Sequence, residues 1–323
     1  MLRIAIAGAF AASLEQPLRR HLDVPCEIVV ADETEIVPLL GGADVLISMA
    51  LTAEMGRKAT NLKLVQVPGA GLDRIDRAAL PEGAVLANVF GHEIGIAEYV
   101  FGAMLTLTRE FSRLDGALRL GEWQSQWAVG SPIPPVWPEL AGKTLGILGY
   151  GRIGREVARR ARAFDMTICA IRRHAPPPIE KGLALFGGPE LRDEVLRRAD
   201  YLVIAMPATS ETRQAIGSRE LSLMKPTAYL INVARAEIVD ESALYEALAN
   251  RIIAGAALDV WYRYPGGPGP AFPSTKPFQE LPNVLMTPHV SGWTDGMIEA
   301  RAKLIAENIS RVARAEPPLN RIA

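Results

Sequence analysis

The chain has 323 residues, of which 49% are hydrophobic and 22% charged, and its formal net charge is −1. This length is sufficient for two domains, and the near-neutral charge gives no reason to expect binding to nucleic acid or to an anionic membrane. Apolar runs fall short of the roughly 20 residues that a membrane-spanning helix needs. The N-terminus has the pattern of a first strand and not of a signal peptide. We expect a cytoplasmic protein.

The first part of the chain alternates short apolar strands with helical or turn-rich segments. Strands are predicted at 3–7, 27–31, 45–49, 64–67 and 85–88. This alternation predicts a mostly parallel sheet that is covered on both faces. A single long amphipathic helix is predicted next, over 94–120. The Trp- and Pro-rich segment that follows, 121–138, predicts a contact with a partner subunit, because exposed tryptophans usually mark an interface.

A glycine motif organises the second part of the chain. The run 145–154 reads LGILGYGRIG and places G-x-G-x-x-G between a predicted strand and a predicted helix. Gly149 permits a tight turn, Gly151 lets the backbone approach a pyrophosphate, and Gly154 lets the helix pack closely on the strand. The pattern predicts dinucleotide binding at the helix N-terminus. The alternative is a tight turn that binds no ligand.

Six strands are predicted from this motif onward, at 145–148, 167–171, 201–205, 228–232, 255–260 and 284–286. They fit one doubly wound nucleotide-binding domain. A final helix over 294–314 returns to the first lobe. The predicted fold class is therefore α/β with two lobes, each a mostly parallel sheet flanked by helices, and the middle lobe is a Rossmann domain.

Three polar residues lie at or after the carboxyl ends of successive predicted strands, where open α/β sheets bind ligands. They are Arg235, Asp259 and His289. Arginine presents a fork of donors that fits a carboxylate, and histidine exchanges protons near neutral pH. Hydride transfer to a 2-oxo acid needs both, since one group orients the acid and the other supplies the hydroxyl proton.

Taken together, these motifs resemble those of the D-2-hydroxyacid dehydrogenase family over nearly the full length. The matching segments are VPGAGLDRID (67–76), GIAEYVFGAMLTLTR (95–109), LAGKTLGILGYGRIG (140–154), MPATSETRQAIG (206–217), INVARAEIVDESAL (231–244), AALDV (256–260) and TPHVSGW (287–293). The resemblance implies a substrate-binding, catalytic domain at 1–93 plus 291–323. It implies an NAD(P)-binding Rossmann domain at 94–290.

The resemblance also implies roles for single residues. Arg235 binds the substrate carboxylate and polarises its carbonyl, His289 is the general acid/base, and backbone N–H groups around Ala70 and Gly71 hold the carboxylate. The implied cofactor contacts are Gly149, Gly151, Arg152, Ile153 and Gly154 at the pyrophosphate, Pro207 and Thr212 along the cofactor, and Ala234 and Asp259 at the nicotinamide carboxamide.

One departure from the family pattern concerns the catalytic histidine. Family members usually carry a Glu that hydrogen-bonds this His, and Tyr264 stands in that place here. A phenol holds no negative charge near neutral pH, so we expect His289 to titrate lower than in relatives with the Glu. Formate dehydrogenases resemble this chain in lacking the Glu, so the departure does not by itself exclude activity.

The end of the second Rossmann strand bears on the choice of cofactor. It reads Arg172-Arg173-His174, without the carboxylate that selects NAD. Two guanidinium groups suit a 2′-phosphate. We predict NADP(H), with NAD(H) as the alternative cofactor and a solvated basic turn as the alternative role of the arginines.

The sequence thus predicts a dehydrogenase that reduces a small 2-oxo acid, glyoxylate or hydroxypyruvate first, to the D-2-hydroxy acid, and catalyses the reverse. We expect a homodimer and no metal site, since His92-Glu93 lacks the second histidine of a zinc helix. The alternative is a catalytically weak NAD(P)(H)-sensing protein on the same fold, similar to the C-terminal binding protein corepressors. Oxidation of formate or phosphite is a weaker option.

Overall fold

The computed structural model describes residues 1–130, 132–174 and 181–322. By contact clustering the chain forms two compact units, one of Met1–His92 with Trp293–Ala323 (unit 1) and one of Glu93–Gly292 (unit 2). Within the described residues, no helix has the length and apolar character needed to cross a membrane. Each unit contains one parallel sheet with helices, which confirms the predicted α/β class.

The elements are numbered along the chain. The strands are β1 (Leu2–Ala7), β2 (Cys26–Ala31), β3 (Val45–Ser48), β4 (Leu64–Gln66), β5 (Val85–Ala87), β6 (Thr144–Leu148), β7 (Thr167–Ile171), β8 (Leu185–Gly187), β9 (Tyr201–Ile204), β10 (Tyr229–Asn232), β11 (Gly255–Leu258) and β12 (Val284–Met286). The helices are α1 (Ala9–Ala12), α2 (Glu15–His21), α3 (Ala53–Lys58), α4 (Glu93–Arg109), α5 (Phe111–Arg119), α6 (Arg152–Ala163), α7 (Arg192–Arg198), α8 (Ser218–Leu223), α9 (Glu241–Ala249) and α10 (Asp295–Ala313).

Unit 1 is built on a five-stranded parallel sheet in the order β2-β1-β3-β4-β5. Its central strands are apolar at nearly every position because both faces are covered. A buried polar pair joins the sheet to the C-terminal part of the chain: Asn308 of α10 donates to the Gln66 side chain at 2.7 Å. Asn308 also accepts from the backbone N–H of Leu319 at 2.7 Å. These bonds fix the C-terminal residues to unit 1.

Unit 2 is built on a seven-stranded parallel sheet in the order β12-β11-β10-β9-β6-β7-β8. Along the chain, strands are added to one side of β6 and then, from β9 on, to the other. In doubly wound sheets, ligands bind outside the carboxyl ends of the strands at this change of direction. The fold therefore predicts where a ligand site of unit 2 lies, next to the carboxyl ends of β6 and β9.

Two sequence predictions about unit 2 were wrong. The sheet has a seventh strand, β8, which lies at its edge and is only half-buried, so its short sequence carries no clear apolar pattern. The predicted helix over 94–120 is two helices, because Glu110 adopts a left-handed φ of 52°. The apolar periodicity continues across this break, but the nine residues of α5 contain no buried position.

Candidate active site in unit 2

The glycine motif forms the turn between β6 and α6, and two of its glycines are required by packing. Gly149 has a φ of 104°, and a Cβ added there would lie 2.4 Å from the backbone nitrogen of Met206. A Cβ at Gly154 would lie 2.6 Å from the carbonyl oxygen of Gly149. Both contacts are far shorter than van der Waals distance. The strand–turn–helix geometry therefore depends on these two glycines, as the motif predicts.

Gly151 differs from its two neighbours in the motif. Apart from Gly151 and its neighbours along the chain, no heavy atom of the described residues lies within 4 Å of a Cβ added at Gly151, so the space in front of it is open. Helix α6 begins at the next residue, Arg152, so the positive end of its dipole lies at this turn. An open space beside a positive helix end fits a diphosphate. These residues therefore fit a dinucleotide.

The residues predicted to read the rest of the cofactor lie at the carboxyl ends of β7 and β9. Arg172 is half-buried, and its backbone N–H donates to the carbonyl oxygen of Gly187 at 3.0 Å. Arg173 is exposed and forms an ion pair with Glu211 at 3.0 Å. In the loop after β9, the Thr212 hydroxyl donates to the carbonyl oxygen of Pro207 at 2.7 Å. The geometry makes Arg172 the stronger candidate for a 2′-phosphate, since Arg173 already has a carboxylate partner.

A buried amide positions Arg235 directly after β10. Asn232, with 1% of its surface exposed, accepts from the N–H of Ala234 at 3.1 Å and donates to the carbonyl of Arg235 at 3.0 Å. The Arg235 guanidinium in turn donates to the carbonyl oxygen of Ala234 at 2.8 Å. The amide thus fixes the backbone on both sides of Ala234 and orients the start of the arginine side chain.

His289 lies in the loop after β12 in a strained backbone conformation. Its φ is 57°, a left-handed value that is unfavourable by about 1–2 kcal/mol for a residue other than glycine. The fully buried carboxylate of Asp259 stabilises this loop. It accepts from the backbone N–H groups of Val290 and Ser291, each at 2.9 Å, and from the Thr287 hydroxyl at 2.7 Å. Asp259 therefore holds the loop on both sides of the histidine.

The intrachain partners of Asp259 all belong to the histidine loop. Its carboxylate is fully buried, and its three donors among the described residues are the Thr287 hydroxyl and the N–H groups of Val290 and Ser291. The contact with the carboxamide stays a prediction. The role of Thr287 was not predicted from the sequence. Its position two residues before His289 was the one local sign that it contacts the same loop.

Tyr264 stands beside His289, as its place in the sequence suggested. The Tyr264 hydroxyl lies 2.7 Å from Nδ1 of His289. Partial burial of the ring raises the pKa of Tyr264 above its ordinary value, so the hydroxyl keeps its proton near neutral pH. When it donates to Nδ1 of the neutral imidazole, the imidazole proton resides on Nε2. In the protonated imidazole, Nδ1–H donates to the phenol oxygen instead. In both states the phenol occupies Nδ1, which leaves Nε2 as the nitrogen that can exchange a proton with a substrate.

The surroundings of His289 lower its pKa. Loss of water around the part of the ring that faces the protein is the main cause. The negative charge of Asp259 raises the pKa, and the positive charge of Arg235 lowers it further. Because neutral Tyr264 supplies no negative charge at Nδ1, these effects leave the pKa of His289 below its usual value.

Replacing Tyr264 with Glu tests this electrostatic account. A carboxylate close to Nδ1 favours the protonated imidazole, so we expect the Tyr264→Glu substitution to raise the pKa of His289 by roughly one to three units. His289 then stays protonated to higher pH, and a reaction that needs its proton continues to higher pH. An NMR titration of the imidazole measures the shift. Tyr264→Phe is the control without charge; the same pKa in both variants would contradict the account.

Two other predicted site residues belong to unit 1. Ala70 and Gly71 lie in the loop that follows β4, and both are half-buried. Asn88 fixes this loop by donating to the carbonyl oxygen of Ala70 at 3.0 Å. Their contact with a substrate carboxylate stays a prediction.

Comparison with known proteins identifies the family. The family model described as D-isomer specific 2-hydroxyacid dehydrogenase, NAD binding domain, matches residues 101–291. Glyoxylate reductase from Thermococcus gammatolerans is 33% identical over 298 residues, covering 92% of this chain and 85% of that protein. D-3-phosphoglycerate dehydrogenase from Methanocaldococcus jannaschii is 36% identical over 87% of this chain, which spans only about half (52%) of that longer protein.

A solved structure agrees with these matches. It is the NADPH-dependent glyoxylate/hydroxypyruvate reductase of Sinorhizobium meliloti in complex with NADP and malonate, with a TM-score of 0.80 and 27% identity over 100% of this chain and 97% of that one. The family model covers the glycine motif, Arg235, Asp259 and His289. The chain belongs to the D-isomer specific 2-hydroxyacid dehydrogenase family, a family of oxidoreductases.

Proposed function

We propose that this protein reduces a small 2-oxo acid to the D-2-hydroxy acid, and catalyses the reverse, with a nicotinamide dinucleotide. The observation that carries the proposal is the placement of Arg235 and His289. They follow β10 and β12 in the same parallel sheet whose β6–α6 turn forms the open glycine cradle. Glyoxylate and hydroxypyruvate are the first candidates, since similar proteins from Thermococcus gammatolerans and Sinorhizobium meliloti are named for those acids.

The proposed mechanism assigns one task to each side chain. When bound, the dinucleotide supplies the hydride that reduces the carbonyl carbon. The fork of Arg235 binds the carboxylate and orients the carbonyl. His289, in its protonated form, donates the Nε2 proton to the carbonyl oxygen as negative charge develops there. Tyr264 holds Nδ1 at 2.7 Å, so the ring remains oriented after the proton has left.

We further propose that the cofactor is NADP(H) and that Arg172 binds its 2′-phosphate. Replacing Arg172 with Asp removes a positive charge and adds a negative one, so we expect the Kd for NADPH to rise about 10- to 100-fold. The Kd for NADH, which has no 2′-phosphate, changes little. Quenching of protein fluorescence measures both constants. Arg198→Asp on α7, where Arg198 pairs with Glu194 at 2.6 Å, is the matched control and should change neither constant. Equal weakening of both cofactors by Arg172→Asp would refute the assignment.

The segment 121–138 supports the proposal of a homodimer. Trp127 is 81% exposed and Trp123 is 61% exposed, and three further apolar residues in this segment, Val129, Ile133 and Val136, are also exposed. Several exposed, large apolar side chains in one short segment are typical of a protein–protein interface. A second copy of this chain is the proposed occupant. The cytoplasmic location stays a prediction.

The function itself is tested by mixing the purified protein with NADPH, or separately with NADH, and a panel of acids. The panel contains glyoxylate, hydroxypyruvate, pyruvate and bulkier 2-oxo acids. Loss of absorbance at the reduced nicotinamide band with a small 2-oxo acid supports the proposal and identifies both cofactor and substrate. Tight NADPH binding without turnover of any acid would contradict it and favour the sensing protein.

A further inference from the structure

A chain of side-chain hydrogen bonds runs within unit 2 from α4 to the loop that carries His289. The Tyr99 hydroxyl lies 2.7 Å from Oγ1 of Thr287, and the Thr287 hydroxyl donates to Asp259 at 2.7 Å. Because the single hydrogen of the Thr287 hydroxyl goes to the carboxylate, Tyr99 is the donor in the first bond. Asp259 in turn accepts from Val290 and Ser291, on the other side of the histidine.

Thr287 is also fixed through its backbone. The indole N–H of Trp261 donates to the Thr287 carbonyl oxygen at 2.8 Å, and the N–H of His289 donates to the same oxygen at 3.0 Å. The next three residues, 288–290, are exposed. Apolar packing therefore contributes little to holding this part of the loop, and its polar contacts define the position of the histidine.

We propose that Tyr99 is a positioning residue for His289, acting through Thr287 and Asp259. The inference rests on the proposed function, in which His289 delivers a proton. A left-handed histidine with a φ of 57° needs support from its surroundings, and Tyr99 supports the side chain that begins the loop. Burial raises the pKa of Tyr99 to about 12, so its hydroxyl remains a donor across the physiological range. Loss of this donor loosens the loop and misplaces the imidazole.

The chain offers a matched control for Tyr99. Tyr201 of β9 forms a second buried tyrosine–threonine pair, with its hydroxyl 2.8 Å from Oγ1 of Thr108. Thr108, like Tyr99, belongs to α4. Both tyrosines therefore lose one comparable hydroxyl contact when replaced by Phe, but only Tyr99 is bonded to the histidine loop.

The first measurement is steady-state kinetics of the full chain with the best acid of the panel. We expect Tyr99→Phe to lower kcat about two- to tenfold, with KM for the acid nearly unchanged, since proton delivery matters only in the transition state. Tyr201→Phe leaves kcat at the wild-type value. Thr287→Val loses two bonds and lowers kcat about 10- to 100-fold. Thr287→Ser keeps the hydroxyl, so its kcat should stay close to the wild-type value.

The second measurement is amide hydrogen exchange at Val290 and Ser291, which needs no turnover. We expect faster exchange in Tyr99→Phe than in Tyr201→Phe or the wild type. Equal exchange in the two tyrosine variants overturns the inference whatever the activity, as does an unchanged kcat of Tyr99→Phe in an active enzyme. A wild-type protein without turnover refutes the proposed function alone, and the exchange rates then decide the inference.

Discussion

Replacing His289 with Ala is expected to lower kcat for the 2-oxo acid about 1,000-fold, within the range for loss of a positioned general acid. The substitution removes the proton that the carbonyl oxygen receives during reduction. Binding of the acid depends mainly on other residues, so KM should change much less than kcat. Initial rates over a range of acid concentrations, at saturating cofactor, measure the two constants separately.

His21 provides the control for this substitution. It lies in unit 1 and pairs with Glu299 at 2.6 Å, so His21→Ala should leave kcat unchanged. If His289→Ala retained a kcat within about tenfold of the wild type, another group would be the proton donor. In that case the bond between Tyr264 and Nδ1 of His289 would have no catalytic meaning.

The second large effect is expected at Arg235. Removing the guanidinium by Arg235→Ala leaves the substrate carboxylate without its charged partner, and we expect kcat/KM to fall about 1,000-fold. Arg235→Lys keeps the charge but lacks the fork that binds both carboxylate oxygens. Its kcat/KM should therefore lie between the values for Ala and for the wild type. Rates at low acid concentration give kcat/KM directly.

The control for Arg235 is an arginine of the same unit on a helix surface. Arg198 of α7 pairs with Glu194 at 2.6 Å, and Arg198→Ala should leave kcat/KM unchanged. Equal activity of Arg235→Lys and the wild type would show that charge alone suffices. A small loss in Arg235→Ala would contradict the assignment of the carboxylate site.

The sequence was sufficient to predict most strands of unit 2 because buried parallel strands are short, continuous apolar runs. Strands β7 and β12 have the predicted bounds, and β6, β9, β10 and β11 differ by one or two residues at an end. The left-handed residue that separates α4 from α5 is a glutamate, Glu110. Nothing in its type indicates that conformation, so a continuous helix was the natural prediction.

Only some of the site residues could be predicted from the sequence. The glycines, Arg235 and His289 could be found because each follows a strand within a recognisable local pattern. The roles of Asn232 and Asp259 depend on which backbone N–H groups face them after folding. The contact between Tyr99 and Thr287 was harder still to predict, since they are 188 positions apart in the sequence. Local spacing carries no information about such pairs.

In the proposed reaction, this protein transfers a hydride from the nicotinamide to carbon 2 of a small 2-oxo acid. The most direct test uses NADPH that carries deuterium at the transferring position of C4, with glyoxylate or hydroxypyruvate as the acid. Mass spectrometry of the product should find the deuterium on carbon 2, and the product of hydroxypyruvate should have the D configuration. A product without the label, or no product while NADPH remains bound, would contradict the account.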